Sequence, residues 1–194
     1  MRTMTRLLLL LLLLVSASAW LAGCGPPGGT RSPITATPAG PAPSRIAGFA
    51  PAGPTETAMV VRVVDGDTII VDRGRGDERV RYVGIDAPES VKPGSPVEPM
   101  GHEATVANAA LVEGREVVLE RDVSDRDRFD RLLRYVWLRE GSGWLLVNLE
   151  LVRGGYASAV SFPPDVRLQG ELRVAEREAR DAGRGLWGPA TPQP

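Results

Sequence analysis

Between Ala58 and Ile85 the chain carries three short β-branched runs separated by tight turns, and this commits its first part to antiparallel β structure. The run Ala58–Val64 ends at Asp65-Gly66, and Thr68–Val71 resumes the pattern at once, so two strands meet at a two-residue turn. Gly74 to Asp77 turns the chain again. From Arg79 to Ile85 polar and apolar residues alternate as far as Gly84, which places Val80 and Tyr82 on one face and Arg79 and Arg81 on the other.

After a proline-rich loop, Met100, Ala104, Ala107 and Leu111 recur at helical spacing until Gly114. Glu116–Glu120 and Leu132–Leu138 read as two further strands, separated by a charged loop from Arg121 to Arg131. Asn148–Arg153 reads as a short helix, and Leu168, Leu172, Ala175, Ala179 and Ala182 form the apolar stripe of a last one. Five strands with three helices inserted and appended fit a small closed barrel better than a sandwich. The expected class is α+β with a mainly β core: a five-stranded OB-fold barrel with three helices.

The first 54 residues contribute little to such a core. Arg2 and Arg6 precede an apolar run from Leu7 to Val15, and small residues follow at Ser16–Ala19, the layout of a secretory signal. Even extended to Ala22, the run is shorter than the roughly 20 residues a membrane-spanning helix needs. It closes with Leu21-Ala22-Gly23-Cys24, which is similar to the bacterial lipobox. Cys24 is the only cysteine, so no internal disulfide can form, and lipidation accounts for a lone thiol in an exported chain. The expectation is a signal over 1–23, a Gly/Pro/Ala-rich tether over 24–54, a folded domain over 55–188 and a tail over 189–194. The tether composition buries too little apolar surface to offset its ordering entropy. The protein is then exported and held by Cys24 on the outer face of a bacterial membrane, or secreted if Cys24 is unmodified.

The chain has 23 Lys+Arg against 24 Asp+Glu, and removing Arg2 and Arg6 with the signal leaves 21 against 24. A nucleic-acid ligand therefore needs cations concentrated locally, because the chain has no global positive excess. His102 is the sole histidine, so chemistry built on several histidines is excluded, and it reads as a helix-surface residue.

Taken singly, Asp65-Gly66-Asp67 is a turn signal and Asp86-Ala87-Pro88-Glu89 an ordinary strand end. Together they place Asp67, Asp86 and Glu89 near adjacent strand ends, where three carboxylates form a hard oxygen set suited to calcium or magnesium and not to zinc. The loose loop geometry favours calcium. Arg81 leads directly into this acidic cluster and Arg131 opens the fifth strand; most arginines at such places form solvated faces or surface ion pairs, but these two could fork onto a phosphate.

Four segments in order resemble the staphylococcal nuclease, or thermonuclease, family. They are Val64–Thr68, Arg81–Glu89, Asp127–Val136 and Val147–Ala157, within a resemblance running from about Met59 to Trp187. The resemblance implies an OB-type barrel and one Ca2+ held by Asp67, Asp86 and the backbone carbonyl of Ala87, with Glu89 reaching it through water. It implies Arg81, Glu89 and Arg131 as catalytic residues, and hydrolysis of DNA and RNA on the 5′-oxygen side to leave 3′-phosphate ends. It also implies single-stranded or denatured DNA and RNA as partners, no protein partner and a monomer.

Several positions depart from the family pattern. Ala87 stands where the type member has threonine, and Asp130 replaces a glycine before Arg131. Phe129 beside Arg128 lacks a phenol, and Phe162 is the one local candidate where the family has paired base-stacking tyrosines. Arg128, Phe129 and Phe162 are the expected substrate contacts. Against this stand two other readings, a noncatalytic surface-anchored OB-fold protein that retains nucleic acid or another polyanion, and a surface domain in which calcium is only structural.

Overall fold

The computed structural model describes residues 49–90 and 98–189; Cys24, most of the expected tether and the residues after 189 lie outside them. The barrel is built from β1 (Thr55–Asp65), β2 (Thr68–Asp72), β3 (Asp77–Tyr82), β5 (Glu116–Glu120) and β6 (Leu132–Glu140). β1, β2 and β3 form the antiparallel meander, and β1 also pairs with β5, which pairs with β6. Parallel pairing of β3 with β6, through Val80–Leu132, Arg81–Leu133 and Tyr82–Arg134, closes the ring. The result is a closed five-stranded mixed barrel of the OB type with three helices. Its inside is filled by the alternate residues Ile69, Val71, Val80, Tyr82, Leu119, Leu132 and Trp137, all fully buried.

The helices are α1 (Gly101–Val112), α2 (Val147–Arg153) and α3 (Gln169–Asp181), and Gly185–Trp187 forms a final 3-10 turn. On α3 the expected stripe is present, with Leu172, Ala175 and Ala179 buried. On α1 the stripe is displaced: the buried positions are Gly101, Ala104, Asn108 and Val112, while Met100 lies before the helix with a φ of 69°. A polar residue on the inner face shifts the apparent apolar register. His102 is exposed on this helix.

Three short elements depart from the expected strand set. β7 (Gly143–Leu146) folds back on β6 through a turn at Gly141-Ser142, and leads straight into α2. The third strand stops at Tyr82 because the chain turns at Gly84, whose φ is +78°. A Cβ there would lie 2.5 Å from Leu172 Cδ1, so the turn needs glycine for both conformation and space. Beyond it, β4 (Ile85–Asp86) pairs with β8 (Ser158–Ala159). Two-residue strands carry no readable period.

Residues just ahead of Thr55 also make contacts with the barrel. Phe49 packs on Trp137 with ring centroids 5.2 Å apart, and Ala52 N–H and Gly53 N–H both donate to Glu120 Oε1. Glu120 is fully buried, and its Oε2 accepts from Trp137 Nε1 at 2.8 Å and pairs with Arg167 at 2.6 Å. A buried carboxylate requires donors on all sides, and residues 52 and 53 supply two of them. Phe49, Ala52 and Gly53 therefore pack on the barrel ahead of β1.

Candidate active site

At one end of β2 the chain turns through Asp65-Gly66-Asp67, and every part of this turn is tied down. Asp67 N–H donates to Asp65 Oδ1, Tyr82 N–H donates to Asp67 O at 2.9 Å, and Asn108 Nδ2 donates to Asp65 O at 2.9 Å. Asn108 Oδ1 in turn accepts from the Tyr82 hydroxyl at 2.9 Å, and burial raises the phenol far above its ordinary pKa, so it stays a donor. A Cβ on Gly66 would lie 2.6 Å from Ala87 Cβ and 2.7 Å from Ala104 Cβ, so glycine lets the turn sit against α1. Neither Tyr82 nor Asn108 was expected at the site. A polar residue on the inward stripe of α1 was the available signal.

Asp67 is 5 % exposed and is anchored at both oxygens: Oδ1 accepts from Thr68 Oγ1 and Oδ2 from Ala87 N–H at 2.7 Å. Arg81 is interposed between the two expected metal carboxylates, pairing with Asp67 Oδ2 and with Asp86 Oδ1 at 2.7 Å. Its buried Nη1 makes the charge contact to Asp67 without the alignment of a hydrogen bond. Desolvation lifts Asp67 to about 6, against the pull of Arg81 and with a push from Asp65. Desolvation likewise raises Asp86, opposed by Arg81 and reinforced by Asp67. The two carboxylates are thus short of positive charge even with the guanidinium between them.

Glu89 lies on the following loop and its backbone is clamped. Glu98 N–H donates to Glu89 O at 2.9 Å, Glu89 N–H donates to Glu98 Oε2 at 3.1 Å, and a Cβ on Gly101 would lie 2.7 Å from Glu89 O. Among the described residues, no three His, Cys, Asp or Glu side chains are gathered as one metal-holding group. The expected convergence is therefore partial: Asp67 and Asp86 meet about Arg81, and Glu89 is presented from the neighbouring loop. The donor set still fits a hard cation. It is all oxygen, and its two nearest carboxylates carry raised pKa values that a divalent charge would relieve.

Barrel closure brings the 121–131 loop to the same place. Asp127 Oδ2 accepts from Arg131 Nε at 2.7 Å and pairs with Nη2 at 2.6 Å, while its Oδ1 accepts from the N–H groups of Phe129 and Arg131. Burial alone would raise Asp127, but these hydrogen bonds outweigh it and hold the carboxyl below its ordinary range. Asp127 thus fixes both the backbone and the guanidinium of Arg131, a task the sequence motif did not reveal. A pocket of about 330 Å³ lies between this loop and β3, lined by Arg81, Asp127, Arg131, Leu133, Phe162 and Pro164 among others. Buried Asp165 shapes its wall by accepting from Val123 N–H and Ser124 N–H.

Of the expected substrate contacts, Phe162 lines this pocket, while Arg128 and Phe129 stand outside it. The exposed Phe129 ring carries Arg128 at 4.7 Å and Arg131 at 5.5 Å from its centroid. Asp130 has a φ of 63°, the left-handed region that explains why glycine suits that position.

A family model described as staphylococcal nuclease homologue matches residues 79–189. The chain is 37% identical over 145 residues to a thermonuclease of Staphylococcus hyicus, covering 75% of this chain and 83% of that protein. It is 39% identical over 132 residues to a thermonuclease of Staphylococcus intermedius, covering 68% and 76%. It is 36% identical over 128 residues to the endonuclease YncB of Bacillus subtilis, covering 65% and 59%.

Proposed function

We propose that this chain, which belongs to the staphylococcal nuclease homologue family and is a nucleic-acid hydrolase, is a calcium-dependent phosphodiesterase that cuts DNA and RNA to leave 3′-phosphate ends. One observation carries the reading: Arg81 and Arg131 line a single pocket, and the guanidinium of Arg81 touches both Asp67 and Asp86. A phosphodiester seated there meets two forked cations and a carboxylate pair that can hold a metal.

In this reading Asp67, Asp86 and the carbonyl of Ala87 would hold the cation, with Glu89 acting through water. Calcium, when bound, supplies positive charge to a phosphoryl oxygen. Arg81 and Arg131 donate to the nonbridging oxygens and bind them more tightly as their charge grows toward the transition state. Glu89 takes the proton of the attacking water at a carboxylate oxygen. As the water oxygen bonds to phosphorus, the bond to the 5′ oxygen breaks, the 5′ oxygen takes up a proton from solvent to become a hydroxyl, and the phosphate stays on the 3′ side. Phe162 in the pocket and Phe129 outside it offer faces for unpaired bases. The same proposal places the enzyme outside the cell, tethered by lipidated Cys24.

Denatured DNA incubated with the purified protein and millimolar calcium tests the reading, and excess chelator should abolish the digestion. Intact DNA under the first condition, or digestion that persists under the second, rejects it. The calcium dependence should also vary with acidity. Asp67 must lose its proton to hold a cation, so with a pKa of about 6 the apparent calcium affinity should be about tenfold weaker at pH 5 than at pH 7. Folding moves the other way: the folded pKa lies above the unfolded value of 3.8, so this group's contribution to cation-free stability falls as pH rises through about 6. Calcium titrations and thermal melts at the two pH values check both signs.

Asp130→Gly should improve the enzyme. It relieves the left-handed backbone and removes a charge next to Arg131, at the loss only of an exposed 3.6 Å pair with Arg126. Stability should rise by up to about 1 kcal/mol, limited by the greater unfolded-state entropy of glycine. At low salt KM for DNA should fall about twofold, the gain shrinking as salt screens the site.

A further inference from the structure

The outer face of the meander carries two arginines that neither the fold nor the reaction accounts for. In β-pairing register, Arg62 on β1 is opposite Ile70 on β2, and Ile70 is opposite Arg79 on β3, so the three form one row across the barrel wall. Arg62 and Arg79 are exposed, and neither guanidinium has an ion-pair partner among the described residues. This sets them apart from Arg73, Arg81, Arg115, Arg126, Arg131, Arg134 and Arg153, all of which are paired with acids. In a chain with 24 acidic residues, a pair of uncompensated cations in one row is a local concentration of charge.

Their position is continuous with the active site. Arg79 and Arg81 lie two residues apart on the same face of β3, a step of about 6.6 Å along the strand. Arg131 immediately precedes the parallel pair Val80–Leu132, which brings it beside the Arg79 end of that strand. The next row on the same outer face, toward the tip of the β2–β3 hairpin, is Met59, Asp72 and Asp77, and its two acids repel an anion. An anionic chain leaving Arg81 is therefore turned across the strands toward Arg62 and away from the hairpin tip. Strand spacing puts Arg62 about 10 Å from Arg79, within reach of a further phosphate.

We propose that Arg79 and Arg62 form a phosphate-binding track on the outer face of β1–β3, which holds the backbone of a single-stranded nucleic acid next to the phosphodiester at Arg81. The proposal rests on the nuclease reading for its starting point and adds a substrate-length dependence to it. An unpaired arginine rooted on a strand can turn its planar fork onto a phosphate, and the single residue between the two in the row is apolar Ile70, which offers no competing acid. The track reads charge and spacing and not base identity.

The test compares the full-length wild type with Arg62→Gln, Arg79→Gln, the double variant and Arg173→Gln, an exposed charge control on α3. Each is assayed for kcat/KM on a thymidine dinucleotide and on a dodecanucleotide over a range of salt. The double variant should lose about tenfold in kcat/KM on the dodecanucleotide, with a clearly smaller loss on the dinucleotide, and the salt slope should drop by about 0.7 for each arginine removed. Arg79→Lys should recover most of the loss, because a point charge still meets a phosphate. Equal losses on both substrates, or an unchanged salt slope, overturn the proposal. If the wild type cleaves neither oligonucleotide, the nuclease reading fails separately. Fluorescence anisotropy with a labelled dodecanucleotide then decides the track, and equal affinity in the wild type and the double variant refutes it.

Discussion

Arg81→Ala is expected to lower kcat on single-stranded DNA by about 10² to 10³, the loss associated with one fixed donor to a transition-state oxygen. The structure gives this arginine a second task that separates it from an ordinary phosphate ligand. Among the described residues, its guanidinium is the one cation that touches both Asp67 and Asp86, whose pKa values are already raised by burial. Removing it leaves those carboxylates with less compensation, so protonation of Asp67 should extend to higher pH in the cation-free protein. The variant should therefore show two signatures, a fall in kcat at saturating calcium and a shift of calcium affinity toward stronger pH dependence. Arg81→Lys distinguishes them. Lysine restores a positive charge near the carboxylates but cannot fork onto a phosphate, so it should recover the pH behaviour and little of the rate. Turnover of Arg81→Ala within a few-fold of the wild type would remove Arg81 from the mechanism.

Glu89→Gln is expected to cost about 10² to 10⁴ in kcat, the range for loss of a positioned general base. Because the Glu89 backbone is held by Glu98 and by the close approach of Gly101, the substitution should leave the loop in place and melting unchanged within a degree or two. KM for DNA should change little, since glutamine keeps the shape of the side chain and loses only its charge and proton affinity. A large rise in KM with intact kcat would instead make Glu89 a binding residue, and full activity would exclude it from both roles. Single-turnover cleavage of a defined oligonucleotide separates these outcomes without interference from product release.

Part of the site was legible because it depends on neighbours in the chain. Asp67 follows a tight Asp-Gly turn, and Arg81 points outward by the two-residue alternation of its strand. The contributions of Asp127, Asn108 and Tyr82 were not legible, because each acts on a residue through a side chain whose partner the local pattern does not name. Asp127 reads as one acid in a charged loop until its carboxylate is seen closing on Arg131. Asn108 reads as an interruption of an apolar stripe until its amide is found holding Asp65. Buried polar groups must find partners, but which partner is a property of the packed interior.

The sequence by itself determined the order of the five barrel strands and the three helices, the turn that carries Asp67, and the outward face shared by Arg79 and Arg81. These follow from short-range sterics and from a side-chain period that any few consecutive residues display. Only the tertiary structure decided that Arg131 stands across the same pocket as Arg81, that Arg81 bridges two carboxylates, and that Phe49 and Gly53 belong to the folded domain. Those facts depend on the parallel closure of β3 against β6 and on the buried demand of Glu120 for donors. The closure joins Val80 to Leu132, and the backbone donors from Ala52 and Gly53 reach Glu120 across 68 and 67 positions; such pairings are selected by the free energy of the whole barrel and not by any local stretch of chain.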